Sequence, residues 1–295
     1  MRAAAVEPRE PADWAAEKQQ AITRGLDFLQ NLGETMFRNE QLAAKHGPDI
    51  LLPFYIPPAT AIRATEEERH ALRVATRLAN EWKARTARSA CHLPLKVPPA
   101  QLLSLMQGCY SLQGLGMGDP ALHAQLLDRA GALGAADFFR FDPTAGEPPT
   151  GVCEDCMCGA RLPPNAAECH HCRRPSVPMS QFDVWLEALV WSFHGCQMRI
   201  GLGACFFDVL KQVCTAFGRQ YPRRKSLCVK DRHYLTYALT HVIYALNNFD
   251  ERSLPASLFP PNVPAFMREQ LVGAMKDDDP DLAGELLDCL LMPTD

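Results

Sequence analysis

No apolar run in these 295 residues approaches the ~18 needed to cross a bilayer, which excludes an ordinary membrane span. An excess of one charge is also missing. Lys and Arg number 30 against 34 Asp and Glu, for a net charge of −4, and this excludes a surface that coats nucleic acid generally. The phosphate loop Gly-x4-Gly-Lys-Ser/Thr, the metalloprotease pair His-Glu-x2-His and the nucleophile elbow Gly-x-Ser-x-Gly are all absent. Outside one cysteine-rich segment no stretch alternates as a strand does, and no strict internal repeat occurs. The opening MRAAAVEPREPADW carries charges and prolines where a secretory signal has an apolar core. We therefore expect an intracellular, cytoplasmic protein without a membrane partner. Organellar targeting is the alternative, since the first residues are Ala-rich with two arginines.

What is abundant is cysteine, with 12 residues. Five of them, Cys153, Cys156, Cys158, Cys169 and Cys172, lie in CEDCMCGARLPPNAAECHHC. In a reducing compartment such a cluster reads as a metal site. Two Cys-x2-Cys turns each bring two thiolates to one ion, and four make a closed tetrahedral Zn²⁺ site of structural type. Cys169 and Cys172 form the clean turn. Cys153 and Cys156 have matching spacing, 12 residues upstream, and Cys158 is the reserve ligand. His170 or His171 could also contribute. The segment is poor in large apolar side chains, so the ion would stand in for a core. The other cysteines are scattered, several on apolar helical faces, where they act as small hydrophobes.

Almost every periodic stretch has helical spacing. The first helix opens after Pro11 with Asp13 as its cap and ends at Gly33. GPDILLPFYIPP is extended and proline-punctuated. Thr65 caps a helix whose apolar face is Leu72, Ala75, Leu78, Ala79 and Trp82. Pro98 and Pro99 open the next, and Asp119–Pro120 another. FDPTAGEPPTG is a linker. Strongly apolar helices then run from Ser180 to Gly195, from Gly201, and from Asp231 to Phe249. Two shorter ones close the chain, the last opening at Asp279 and Pro280. The expected fold is all-α, an antiparallel helical bundle or an α/α helical-pair array with a small inserted zinc ribbon. Its regions are 1–146 helical, 147–178 the ribbon and 179–295 helical, with the two helical regions packing as one domain.

Polar residues recur at helical spacing on the apolar helices. Asp183, Glu187 and His194 fall at i, i+4 and i+11. His233, Tyr237, His241, Tyr244 and Asn248 form a second row, and Glu285 and Asp288 a third. If the rows converged, Asp183, Glu187, His194, His241 and Glu285 would line a pocket for acid–base or metal chemistry. The plainer alternative is solvated edges and hydrogen-bonded core groups. Arg219, Arg223, Arg224, Lys225, Lys230 and Arg232 make a basic connection that could touch RNA phosphates, with His170, His171, Arg173 and Arg174 beside the ribbon. It carries no aromatic stacking pattern, and a solvated loop accounts for it. Gly201 and Gly203 read as permitting close packing rather than phosphate binding.

Cys153, Cys156, Cys169 and Cys172, then Thr240, His241, Tyr244 and Asn247, then Gly284, Glu285 and Leu286 carry a pattern-level resemblance over about residues 150–291. The segment resembles a group of helical proteins in which a paired-cysteine segment precedes helices of this type. The resemblance implies an all-α fold with a zinc segment and brings no activity. The leading expectation is a zinc-stabilised helical scaffold that presents a surface to a protein partner. The alternative is a metal-dependent or acid–base enzyme using the five polar residues, with its small-molecule substrate unspecified.

Overall fold

A computed structural model describes residues 11–40, 42–43, 47, 66–90, 93–94, 96–148, 160, 162, 166–175, 179–248, 253–255, 258–259 and 262–291. Among these the regular structure is helical and no strand forms. No described helix is long and apolar enough to cross a membrane. The chain divides into two compact units, Met1–Arg129 and Ala130–Asp295.

In the first unit α1 (Pro11–Arg38) packs along α2 (Glu66–Ala90). Val74, Ala75, Leu78, Ala79 and Trp82 of α2 are buried, the face that helical periodicity marks. Helix α1 does not stop at Gly33. That residue is buried within the helix, which continues to Arg38, and Asp13 lies inside the helix rather than capping it. Glycine in a helix interior costs only about 1 kcal/mol, which tertiary packing readily offsets. An ion pair of 3.1 Å joins Glu34 to Arg77 across the two helices. Thr65 and most of the proline-punctuated segment lie outside the described residues. Pro98 is the N-cap of α3 (Pro99–Gly114). Gly108 of α3 meets Trp82 so closely that a Cβ would stand 2.2 Å from the indole. In α4 (Pro120–Ala130) the Asp119 carboxylate accepts from Ala121 N at 3.1 Å and Leu122 N at 3.0 Å, the expected cap.

The second unit contains α5 (Ala135–Phe139), α6 (Gln181–Met198), α7 (Phe206–Gln220), α8 (Val229–Asn247), α9 (Asn262–Lys276) and α10 (Pro280–Leu291), with a 3₁₀ turn at Tyr221–Ser226. Helix α8 is the axis: α6, α7 and α10 all pack against it. Phe182, Leu235, Leu239, Phe266, Leu282 and Leu286 form the core between these helices. Ser180 caps α6, accepting from Phe182 N at 3.2 Å, and its hydroxyl donates to Asp231 of α8 at 2.7 Å. One short side chain thus starts one helix and ties it to another. Helix α7 begins at Phe206 rather than Gly201. Gly203 has φ +78°, a left-handed backbone that ends any helical continuation there. Asp279 Oδ1 caps α10 through Leu282 N at 3.1 Å, as its Asp-Pro start predicts.

Candidate functional site

Two of the three polar rows meet. Helix α8 lies along α10, and His233, Tyr237, His241 and Tyr244 of its row each find a group on α10 or at its cap, while Asn248 accepts from Gln197 of α6 at 3.2 Å. His233 Nδ1 is 3.7 Å from Asp279 Oδ2. The Tyr237 hydroxyl donates to Asp281 at 2.6 Å. His241 Nδ1 is 3.6 Å from Glu285 Oε2, and the Tyr244 hydroxyl donates to the Glu285 carbonyl at 3.4 Å. The reason is geometric: α8 residues spaced four, four and three apart keep step with Asp281, Glu285 and Asp288 on α10.

Thr240 sits at the centre and is fully buried. Its Oγ1 is 2.6 Å from Glu285 Oε2 and 2.9 Å from the Tyr237 carbonyl. A hydroxyl has one proton and cannot donate to both. A protonated Glu285 removes the conflict. Its O–H donates to Thr240, and Thr240 donates to the Tyr237 carbonyl. Glu285 is accordingly pushed up to about 7, by burial first, with Asp281, Asp288 and Asp279 adding and the Thr240 hydroxyl opposing. His241 Nδ1 is 3.0 Å from the same Tyr237 carbonyl. A carbonyl only accepts, so Nδ1 carries the proton and Nε2 is left as the acceptor. Burial holds His241 below the usual imidazole range, against the Tyr237 carbonyl and Asp281. Burial also raises the phenols of Tyr237 and Tyr244, with the carboxylates on α10 adding, so both stay neutral.

The first row divides. His194 is buried on α6 and held down to about 4, by burial first and then by the neighbouring His241. It thus stands near the α8 cluster as a neutral imidazole. Glu187 turns elsewhere, into an ion pair with Arg140, whose other guanidinium nitrogen reaches Met179 Sδ at 2.8 Å. Burial raises Glu187 and Arg140 opposes. Asp183 is half-buried in the first turn of the same helix. Sequence reasoning did not single out Arg140, Asp279 or Asp281 as partners. The spacing of Asp281 to Glu285 on one helix was a usable signal for the last.

An apolar cavity of this unit lies elsewhere. It measures about 600 Å³ and is walled by α6, α7, α8 and the start of α9. Trp185, Phe217, Leu239, Val242 and Phe259 line it, and none of Asp183, Glu187, His194, His241 or Glu285 does. Desolvation raises the thiol of Cys214 on its wall, so the cavity gains no thiolate nucleophile from it.

Of the proposed zinc ligands, Cys153, Cys156 and the reserve Cys158 lie outside the described residues. Cys169 and Cys172 are described, and Cys169 is fully buried. Around them the chain makes a tight turn. Arg173 N donates to Cys169 O and Cys169 N donates to Arg174 O, both at 2.8 Å, and an isolated antiparallel bridge joins Glu168 to Pro175. Arg173 takes φ +60°, the left-handed position after the second cysteine that closes the turn. A Cys-x2-Cys pair folded into such a turn fits the presentation of two sulfurs to one ion. Among the described residues no group of three or more metal-ligating side chains assembles. In the basic connection Arg219 pairs with Glu147. Comparison with known proteins gives no identity: no family model, no curated protein and no solved structure matches this chain significantly.

Proposed function

We propose that the chain is a non-catalytic helical scaffold that docks a protein partner in a reducing compartment, with a Cys₄ zinc ribbon as a rigid knob. The observation that carries this reading is how the acid–base groups are used. His233, Tyr237, Thr240 and His241 face Asp279, Asp281 and Glu285 across a helix–helix contact, and Glu187 is taken by Arg140. None of the five candidates opens onto the apolar cavity. Groups arranged in this way hold two helices together.

Apolar side chains on the last two helices supply a surface to match. Val272 is 52% and Met275 69% exposed on α9, and Leu287 is 46% and Leu291 78% exposed on α10, the helix packed beside it. Large apolar groups held in water are candidates for contact with a partner. The zinc ligands in this reading are Cys153, Cys156, Cys169 and Cys172. They leave no open coordination position for a reaction.

The test is a proximity-labelling comparison in the native cell. A Met275→Lys, Leu291→Lys variant keeps its fold, because both positions are exposed, and loses the labelled partner by about tenfold or more. An unchanged partner set contradicts the docking surface. One observation favours the rival acid–base enzyme: Glu285 is poised near neutrality beside the His241 imidazole, 3.6 Å away. That reading requires substrate turnover that disappears in Glu285→Gln while the variant stays folded.

A further inference from the structure

An apolar cavity of about 600 Å³ opens in the C-terminal unit, a concavity able to take an occupant. Its size falls within the range of small-molecule sites. The lining is aromatic and aliphatic almost throughout, supplied by Phe182 and Trp185 from α6, Leu239 and Val242 from α8, and Phe259 and Val263 from the far wall. Water gains little there, since it requires several polar partners.

The polar groups on the lining are few. The Tyr221 hydroxyl is committed, donating to the Asn262 carbonyl at 3.1 Å. Cys214 stays a thiol. Among the described residues of the lining the cation is Lys211, exposed on α7 one turn after Phe207, which is itself 66% exposed. Among the described residues no carboxylate pairs with Lys211. Its described lining therefore joins an apolar interior to the positive charge of exposed Lys211.

We propose that this cavity binds a single-chain amphiphile with a carboxylate head, of the fatty-acid class: the chain lies among the apolar walls and the carboxylate meets the Lys211 ammonium. Charge complementarity selects the head group. A neutral sterol would make no use of the Lys211 ammonium, whereas a carboxylate does. Apolar burial supplies most of the affinity, and the ammonium supplies discrimination between acid and ester. Nothing in this depends on whether the chain also docks a protein.

Gly218 offers a clean block. It lines the cavity on α7, and a Cβ there meets nothing within 4 Å. A phenylalanine at that position occupies ligand space, and the helix gains propensity by losing a glycine. The experiment titrates the full-length, delipidated protein with cis-parinaric acid and separately with its methyl ester, following fluorescence. The wild type takes up the acid saturably, one per chain. Gly218→Phe weakens acid and ester alike by about tenfold or more. Lys211→Glu weakens the acid by about tenfold and leaves the ester unchanged, the size expected for loss of a charge-assisted contact. Circular dichroism of both variants accompanies the titrations. Lys211 lies on an exposed helix face, so that variant keeps the test open should Gly218→Phe fail to fold. Absence of saturable uptake by the wild type overturns the proposal. So does binding that a folded Gly218→Phe leaves intact, or an acid-to-ester ratio unmoved by Lys211→Glu.

Discussion

Gly203→Ala destabilises the C-terminal unit by roughly 4 kcal/mol, whereas Gly201→Ala, two residues earlier, leaves it within about 0.5 kcal/mol. Two costs combine at position 203. Its φ of +78° is open to glycine and strained for alanine. A Cβ there would also stand 2.2 Å from Ala135 N and 2.8 Å from Gly134 C. Both are backbone atoms at the start of α5, so no side chain can rotate to make room. At Gly201 a Cβ meets nothing within 4 Å, and the backbone is not left-handed. For a unit of this size the difference amounts to a drop on the order of 10 °C in Tm. Thermal unfolding of the two variants side by side checks it, and equal Tm values would contradict the close approach of α5 to the α6–α7 connection.

Glu285→Gln stabilises the protein at pH 8 by on the order of 1–3 kcal/mol and changes little at pH 5. The sign follows from where the proton is held. The unfolded chain releases the Glu285 proton near the ordinary value of 4.5, and the folded chain keeps it until about 7. Stability therefore falls as pH rises from 4.5 to 7, and the loss is complete above 7. Glutamine keeps a donor for Thr240 in its side-chain amide N–H and never ionises, so this loss disappears. His194 acts in the opposite direction. The unfolded imidazole takes a proton near 6.5 and the folded one only near 4, so stability falls as pH drops through that window. His241 shares this direction. Between pH 4.5 and 6.5 the slopes oppose each other in the wild type, and the variant exposes the histidine slope alone. Urea unfolding at the two pH values reads the effect. A gain of equal size at both would show that Glu285 is ionised throughout and that the Thr240 relay is wrongly drawn.

The parts legible in the sequence were those with local causes. Asp119–Pro120, Asp279–Pro280 and Ser180 announce helix starts because capping acts within one turn. Ala75, Leu78, Ala79 and Trp82 announce a buried face because burial follows the helical period. The rows on α8 and α10 were visible for the same reason. Which row meets which was not. Glu187 shares a helix face with His194 by spacing, yet it pairs with Arg140, 47 residues away, whose position depends on the turn after α5. The helix through Gly33 and the late start of α7 were misread because a glycine stops a helix only where its φ turns positive. Gly203 does so, and Gly33 stays inside the helix. The cavity left no local signature at all. It arises from the spacing of four helices, and Lys211 on its own reads as an ordinary surface lysine.

If this chain is a scaffold stapled by sulfur rather than an enzyme, counting metal on the purified protein before and after thiol alkylation decides the matter most directly. The account predicts one zinc per chain, lost when the thiols are blocked and absent from a Cys169→Ser variant. A metal ion that survives alkylation, or a protein that never carried one, would contradict it.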